Sequence, residues 1–397
     1  MPDLRQFFLH MDNETTYPEL ISAITPILLS GELNPVASSR IAQSAFDFEP
    51  ELVRLDENFS VLKLYNGPTG TFKDFGVAFL AALMEELLKD EGVATLVSAT
   101  RGESGVCITE AFKNRRGIKS VMLYPAGKIW GLDPANNGGN VIPIQVEATF
   151  DSCQRLVMDL IRDEGFSRRY NVTSANAINI GRLLPQSFYY LYAFICLKKQ
   201  LSGDLLFSVP CGNFGNLIAG LYAWKFGMPV NGFIAAMNSN DAFGDFFMGK
   251  GFEPHTLIHT NSPALDVTIP SNYERLLSFY AEAPSVMRNM VYPASIDNKT
   301  TVNTMKSVWK RYNLLLDPPS AVAFAAAERF VESSECGSHV VVLATGHPAR
   351  SALQVGEIIG QDIAVPQRLA ALKKRSDPVA VIKNDLEALE GAIASCI

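Results

Sequence analysis

The sequence has no uninterrupted apolar run longer than 188–197. A membrane-spanning helix needs roughly 20 such residues, so no span is expected. No secretion signal is expected either, since the opening MPDLRQFFLHMDNE holds no apolar stretch and gains acids quickly. Basic clusters are reduced to short pairs such as Arg115-Arg116 and Arg168-Arg169, and the net charge is −7. Nucleic-acid binders carry a basic stripe, so DNA and RNA are excluded as main partners. The six cysteines (Cys107, Cys153, Cys196, Cys211, Cys336, Cys396) form no CxxC pair and no short regular spacing. In a chain this long they read as reduced thiols, and a cytoplasmic protein is expected. No internal repeat or low-complexity tract is found, which excludes solenoids.

What is present is alternation. Hydrophobic residues make up 48% of the 397, enough to fill more than one core. The stretch to about residue 55 has a mostly helical pattern. Beyond it, short apolar or β-branched runs (94–98, 120–124, 141–146, 205–209, 232–236, 339–344) alternate with segments of helical period (77–89, 150–163, 184–201, 216–226, 301–312, 319–331). This order predicts an α/β fold with parallel sheets covered on both faces. Ligands then bind in the loops that follow strand C-termini.

One such loop is Asn66-Gly-Pro-Thr-Gly-Thr-Phe-Lys73-Asp-Phe-Gly76. A nucleotide phosphate loop needs GxxxxGK and then Ser or Thr, but here only two residues separate Gly70 from Lys73 and Asp74 takes the hydroxyl position. ATP binding is therefore excluded. A lysine at a helix N-terminus feels the positive end of the dipole, which disfavours its ammonium and suits it to Schiff-base chemistry. A surface lysine beside a first-turn acid fits the same residues.

Four further segments join strand patterns to helix patterns. Val209-Pro-Cys-Gly-Asn-Phe-Gly-Asn216 offers consecutive amides for a phosphate, or a plain tight turn. Thr100-Arg-Gly-Glu-Ser-Gly105 suits a carboxylate; it is one residue short of the GxSxG elbow, which disfavours a serine hydrolase, and helix capping by Ser104 is its ordinary reading. Thr173 to Leu183 offers Asn176, Asn179 and Arg182, a guanidinium fit for phosphate or for a surface acid. Leu343-Ala-Thr-Gly-His-Pro348 ends a strand, with Thr345 free to bond a ligand.

Together and in this order, GPTGTFKDFG (67–76), SANAINIGRLL (174–184), CGNFGN (211–216) and ATGHPAR (344–350) resemble threonine synthase, a fold-type II pyridoxal-phosphate enzyme. The likeness runs from about Tyr17 to Arg350. It implies two parallel or mixed sheet lobes with flanking helices and a helical N-terminal segment 1–55. The larger lobe would comprise 1–79 and 201–397, and the smaller 80–200. It also implies that Lys73 carries pyridoxal 5'-phosphate as a Schiff base. Gly212, Asn213, Phe214, Gly215 and Asn216 would hold the cofactor phosphate, and Thr345 would meet the pyridine nitrogen. Thr100, Arg101, Gly102, Glu103, Ser104 and Gly105 would receive the substrate carboxylate, while Asn176, Asn179 and Arg182 would bind the substrate phosphate. The implied reaction converts O-phospho-L-homoserine and water to L-threonine and phosphate, in a monomer or homodimer acting on a small phosphorylated amino acid.

Three departures from the family pattern stand out. Arg101 and Glu103 replace a serine and an aspartate, Cys211 stands where serine is usual, and the N-terminal stretch with D-G-G-L is not found. Another fold-type II lyase or dehydratase, or a weak cofactor-binding protein, remains an alternative. His255 and His259 have the spacing of two ligands on one helix face, but without the glutamate of HExxH they read as ordinary packing, and no metal is expected.

Overall fold

The computed structural model describes residues 2–29, 31–89, 92–100, 102–126, 138–177, 179–334, 337–372 and 378–397. Arg101 and Cys336 lie outside the described residues. The strands are β1 (Glu51–Arg54), β2 (Phe59–Lys63), β3 (Ala94–Ala99), β4 (Ile118–Pro125), β5 (Val141–Val146), β6 (Val172–Thr173), β7 (Asp204–Pro210), β8 (Gly232–Met237), β9 (Val291–Ser295), β10 (Ser338–Ala344) and β11 (Ala380–Ile382). They build a six-stranded sheet in the order β1-β2-β10-β7-β8-β9 and a five-stranded sheet in the order β11-β5-β4-β3-β6.

Among the described residues, all pairings between these strands are parallel except β1 with β2. The central strands β3, β7, β8 and β10 are buried along nearly their whole length, as sheets covered on both faces require. The expectation from alternation therefore holds, with two corrections. Strand β1 falls inside the stretch expected to be helical. The chain's last residues also leave the larger lobe to which 201–397 was assigned: β11 pairs with Ile144–Val146 of β5, and Leu389 and Ile393 of the final helix join the core of the smaller sheet.

The helix Lys73–Leu87 joins the two cores. Phe75, Ala78, Phe79 and Ala82 pack into the core of the larger sheet, while Val77, Leu80 and Ala81 pack against the smaller one. Every residue from Asp74 to Ala82 is buried, so the helix has no solvent face along this stretch, as a helix apolar all round should. The sequence pattern places its start near Val77; it begins four residues earlier, because Asp74, Phe75 and Gly76 are already its first turn. Lys73 is thereby set at the mouth between the sheets. Among the described residues no helix is long and apolar enough to cross a membrane.

Candidate active site

All five sequence segments follow strand C-termini, and the strands concerned are neighbours. The Lys73 loop follows β2, the loop at Thr345 follows β10, and the loop at Gly212 follows β7; these three strands are adjacent in the larger sheet. In the smaller sheet the loop 100–105 follows β3 and the segment 174–182 follows its neighbour β6. Parallel strands send all these loops to the same end of their sheet, the edge where α/β proteins bind ligands.

Hydrogen bonds then tie the loops to one another. Phe72 N–H donates to the Thr345 carbonyl at 3.0 Å, and His347 N–H to the Gly70 carbonyl at 2.9 Å. The Lys73 loop is knotted internally by Asp74, whose carboxylate accepts from Thr69 N–H (2.9 Å) and Thr69 Oγ1 (2.6 Å). Burial raises the pKa of Asp74, and the Thr69 bonds oppose that shift. Asp74 is the first-turn acid the sequence suggested, and it is buried and shapes the loop.

Lys73 Nζ donates to Glu103 Oε2 at 2.6 Å, and Arg350 approaches Glu103 Oε1 at 3.0 Å. The Glu103 side chain is 44% exposed and that of Lys73 22%. The Lys73 ammonium holds the Glu103 carboxyl down to about 2; burial opposes this and Arg350 assists it. Sequence reasoning placed Glu103 in a carboxylate pocket and gave Arg350 no role. An acid four residues after a strand and an arginine far along the chain carry no local signal that they meet.

The loop Gly212–Asn216 has the donor set of an anion site. Among the described residues, the N–H groups of Gly212, Asn213, Phe214, Gly215 and Asn216 donate to nothing, and they lead into the helix Gly215–Lys225. Phe214 holds a left-handed backbone (φ 56°) that turns the row of amides, and its ring is anchored against Phe243 and Phe247. A Cβ on Gly212 would lie 2.8 Å from the Ala264 carbonyl oxygen, so only glycine fits. The side chains have other work. Asn213 Oδ1 accepts from Ser271 N–H, and Asn216 Oδ1 accepts from Tyr189 Oη (2.6 Å) and Tyr190 Oη (2.8 Å). Cys211 is buried, with its Sγ toward the Val209 carbonyl and its amide spent on Ala236.

Thr100, Gly102, Glu103, Ser104 and Gly105 line the start of the helix Glu103–Phe112, where the amides of Glu103 and Ser104 are unpaired among the described residues. Gly102, not Ser104, is the N-cap, and among the described residues no side chain caps this helix. Asn179 caps the short helix Ile180–Leu183 through Gly181 N–H, and Asn176 is half-buried nearby. Arg182 is 4% exposed, donates to the Ala175 carbonyl at 2.7 Å and leaves Nε without a partner. It meets no carboxylate among the described residues, which excludes the surface ion pair. His255 and His259 lie in an irregular, exposed segment, so neither the shared helix face nor ordinary packing applies.

A lysine amine at a cleft, a row of free amides at a helix N-terminus and a near-buried hydroxyl on Thr345 fit a cofactor with an aldehyde, a phosphate and a ring nitrogen. The pattern of the pyridoxal-phosphate dependent enzymes matches residues 52–346, and the threonine synthase C-terminal pattern matches 320–393. The chain is 34% identical to threonine synthase of Serratia marcescens over 88% of its own length and 81% of that protein. The chain belongs to the threonine synthase family. It is a pyridoxal-phosphate-dependent lyase of fold type II. The crystal structure of threonine synthase from Escherichia coli superposes with a TM-score of 0.85 at 30% identity, covering 99% of this chain and 91% of that one. The structure of PLP-bound threonine synthase from Brucella melitensis does so with 0.86 at 28% identity, covering 100% and 92%.

Proposed function

We propose that this threonine synthase family member converts O-phospho-L-homoserine and water to L-threonine and phosphate. The observation that carries this reading is the buried Arg182, a guanidinium with an unpaired Nε and no acidic partner among the described residues. A cation left unpaired in the interior is costly unless an anion arrives to meet it. A substrate with its own phosphate, separate from the cofactor's, supplies that anion.

In this reading Lys73 would carry the cofactor, the amides 212–216 would hold its phosphate, and Thr345 would meet its ring nitrogen. The bound cofactor supplies an electron sink that makes protons next to the substrate amine removable. Lys73, once its amine is free, moves protons at the α and β carbons, a task that needs an amine within hydrogen-bond reach. The amides of Glu103 and Ser104 hold the substrate carboxylate at the head of their helix. Arg182 and Asn176 grip the leaving phosphate, while Asn179 fixes the loop that presents them. The soluble partner is thus a small phosphorylated amino acid.

The test is to incubate the cofactor-loaded enzyme with O-phosphohomoserine and measure threonine and phosphate together. Equal amounts of both are expected. Phosphate without threonine, with a keto acid in its place, would make the enzyme a related lyase.

A further inference from the structure

Thr345 is held from both sides. Its N–H donates to Ser320 Oγ at 3.0 Å, and its carbonyl accepts from Phe72 N–H at 3.0 Å. Ser320 is fully buried in the first turn of the helix Pro318–Ser333, and its hydroxyl donates to Asp317 Oδ1. Asp317 also accepts from Ser320 N–H at 3.1 Å, which is the ordinary bond of a helix N-cap.

A cap needs only that amide bond. The second bond goes further: with its single proton committed to the carboxylate, Ser320 Oγ turns a lone pair to Thr345 N–H. The other carboxylate oxygen, Oδ2, is pressed toward Gly346, where an added Cβ would lie only 2.3 Å away, so the Asp317 side chain and the Thr345–Gly346 backbone fit one another closely. The hydrogen bonds thus run from Asp317 through Ser320 and Thr345 to Phe72, whose next residue is Lys73.

We infer that Ser320 and Asp317 are positioning residues for the cofactor, fixing Thr345 under its ring and, through the Thr345 carbonyl, the backbone that bears Lys73. This rests on the assignment of Thr345 and Lys73 given above. Neither residue touches the cofactor; both act through Thr345.

The experiment loads wild type, S320A, S320T and D317N with pyridoxal phosphate. It reads the dissociation constant, the visible absorption band and the melting temperature of the unloaded chain. In S320A the buried Thr345 N–H loses its acceptor, and the cofactor should bind roughly tenfold or more weakly, with its absorption band displaced. S320T should restore both. D317N keeps a good cap, so it should fold, and should displace the band in the same direction by less. A purely structural Ser320 would lower the melting temperature and leave the band of the loaded fraction unmoved; that result overturns the inference. So does S320A with wild-type affinity and spectrum. A wild type that forms no reducible adduct sinks this inference together with the cofactor assignment, whereas a normal wild type beside an unmoved S320A sinks this inference alone.

Discussion

Glu103 Oε2 accepts a hydrogen bond from Lys73 Nζ at 2.6 Å, across 30 residues of chain. The pair joins the smaller sheet, which supplies the helix of Glu103, to the junction helix of Lys73. It also places a carboxylate, anionic at any physiological pH, beside the amine on which the chemistry depends.

Glutamine at 103 keeps the shape but removes the negative charge beside the Lys73 nitrogen, and leaves Arg350 without its carboxylate partner. E103Q should reduce kcat/KM about tenfold, or about 1.4 kcal/mol of transition-state stabilisation. E103D, with the charge kept on a shorter arm, should fall between. Steady-state kinetics on the three proteins decides it, and equal rates for E103Q and wild type would remove Glu103 from the account.

Arg182 gives a prediction with opposite signs for stability and activity. Burial depresses the pKa of its guanidinium, the sign of a charge held where it is unfavourable. An apolar residue of similar length relieves that cost. R182M should melt at or above the wild-type temperature, while KM for O-phosphohomoserine rises roughly 10- to 100-fold, the worth of lost charged hydrogen bonds at about 1.5–3 kcal/mol. A structural arginine would show the reverse, with lowered melting and an unchanged KM.

His347 supplies the pH dependence. Its ring nitrogen Nδ1 accepts from Ala349 N–H at 3.1 Å, and burial, with Arg368 and Arg350 nearby, lowers its pKa to about 4. Its folded value lies below that of the unfolded chain, about 6.5. Its contribution is therefore present above pH ~6.5 and is lost as pH falls through about 4. H347N keeps a capping oxygen but does not titrate. The advantage of wild type over H347N in melting temperature should be largest at pH 8 and narrower at pH 5. A gap that widens on acidification would contradict the assignment.

The sequence made the strands β3, β4, β5, β7, β8 and β10 legible, because each is a short apolar run bounded by helical segments. It missed β1, β2, β6, β9 and β11; of these β6 and β11, of two and three residues, have no period to read and exist only through pairing with β3 and β5. The Lys73 helix was read as starting late because buried Asp74 looks polar in sequence; its burial follows from bonds to Thr69. At the site, the row of amides at Gly212 was legible because glycines and a strand-to-helix turn define it locally. The contacts Glu103–Arg350 and Ser320–Thr345 were not, since they span long chain separations and depend on how β2, β10 and the smaller sheet come together. The side chain of Asn179 looked like a ligand group and caps a helix instead, while Asn216 uses its Oδ1 on Tyr189 and Tyr190 and keeps a buried Nδ2 without a partner among the described residues.

The central claim is that the Lys73 amine is the one joined to pyridoxal phosphate. The direct measurement is to load the enzyme, reduce it with borohydride and map the labelled peptide. One adduct, on Lys73, is the predicted result, and K73A should carry none. A label on another amine, or a wild-type protein that stays colourless with the cofactor, would contradict the account.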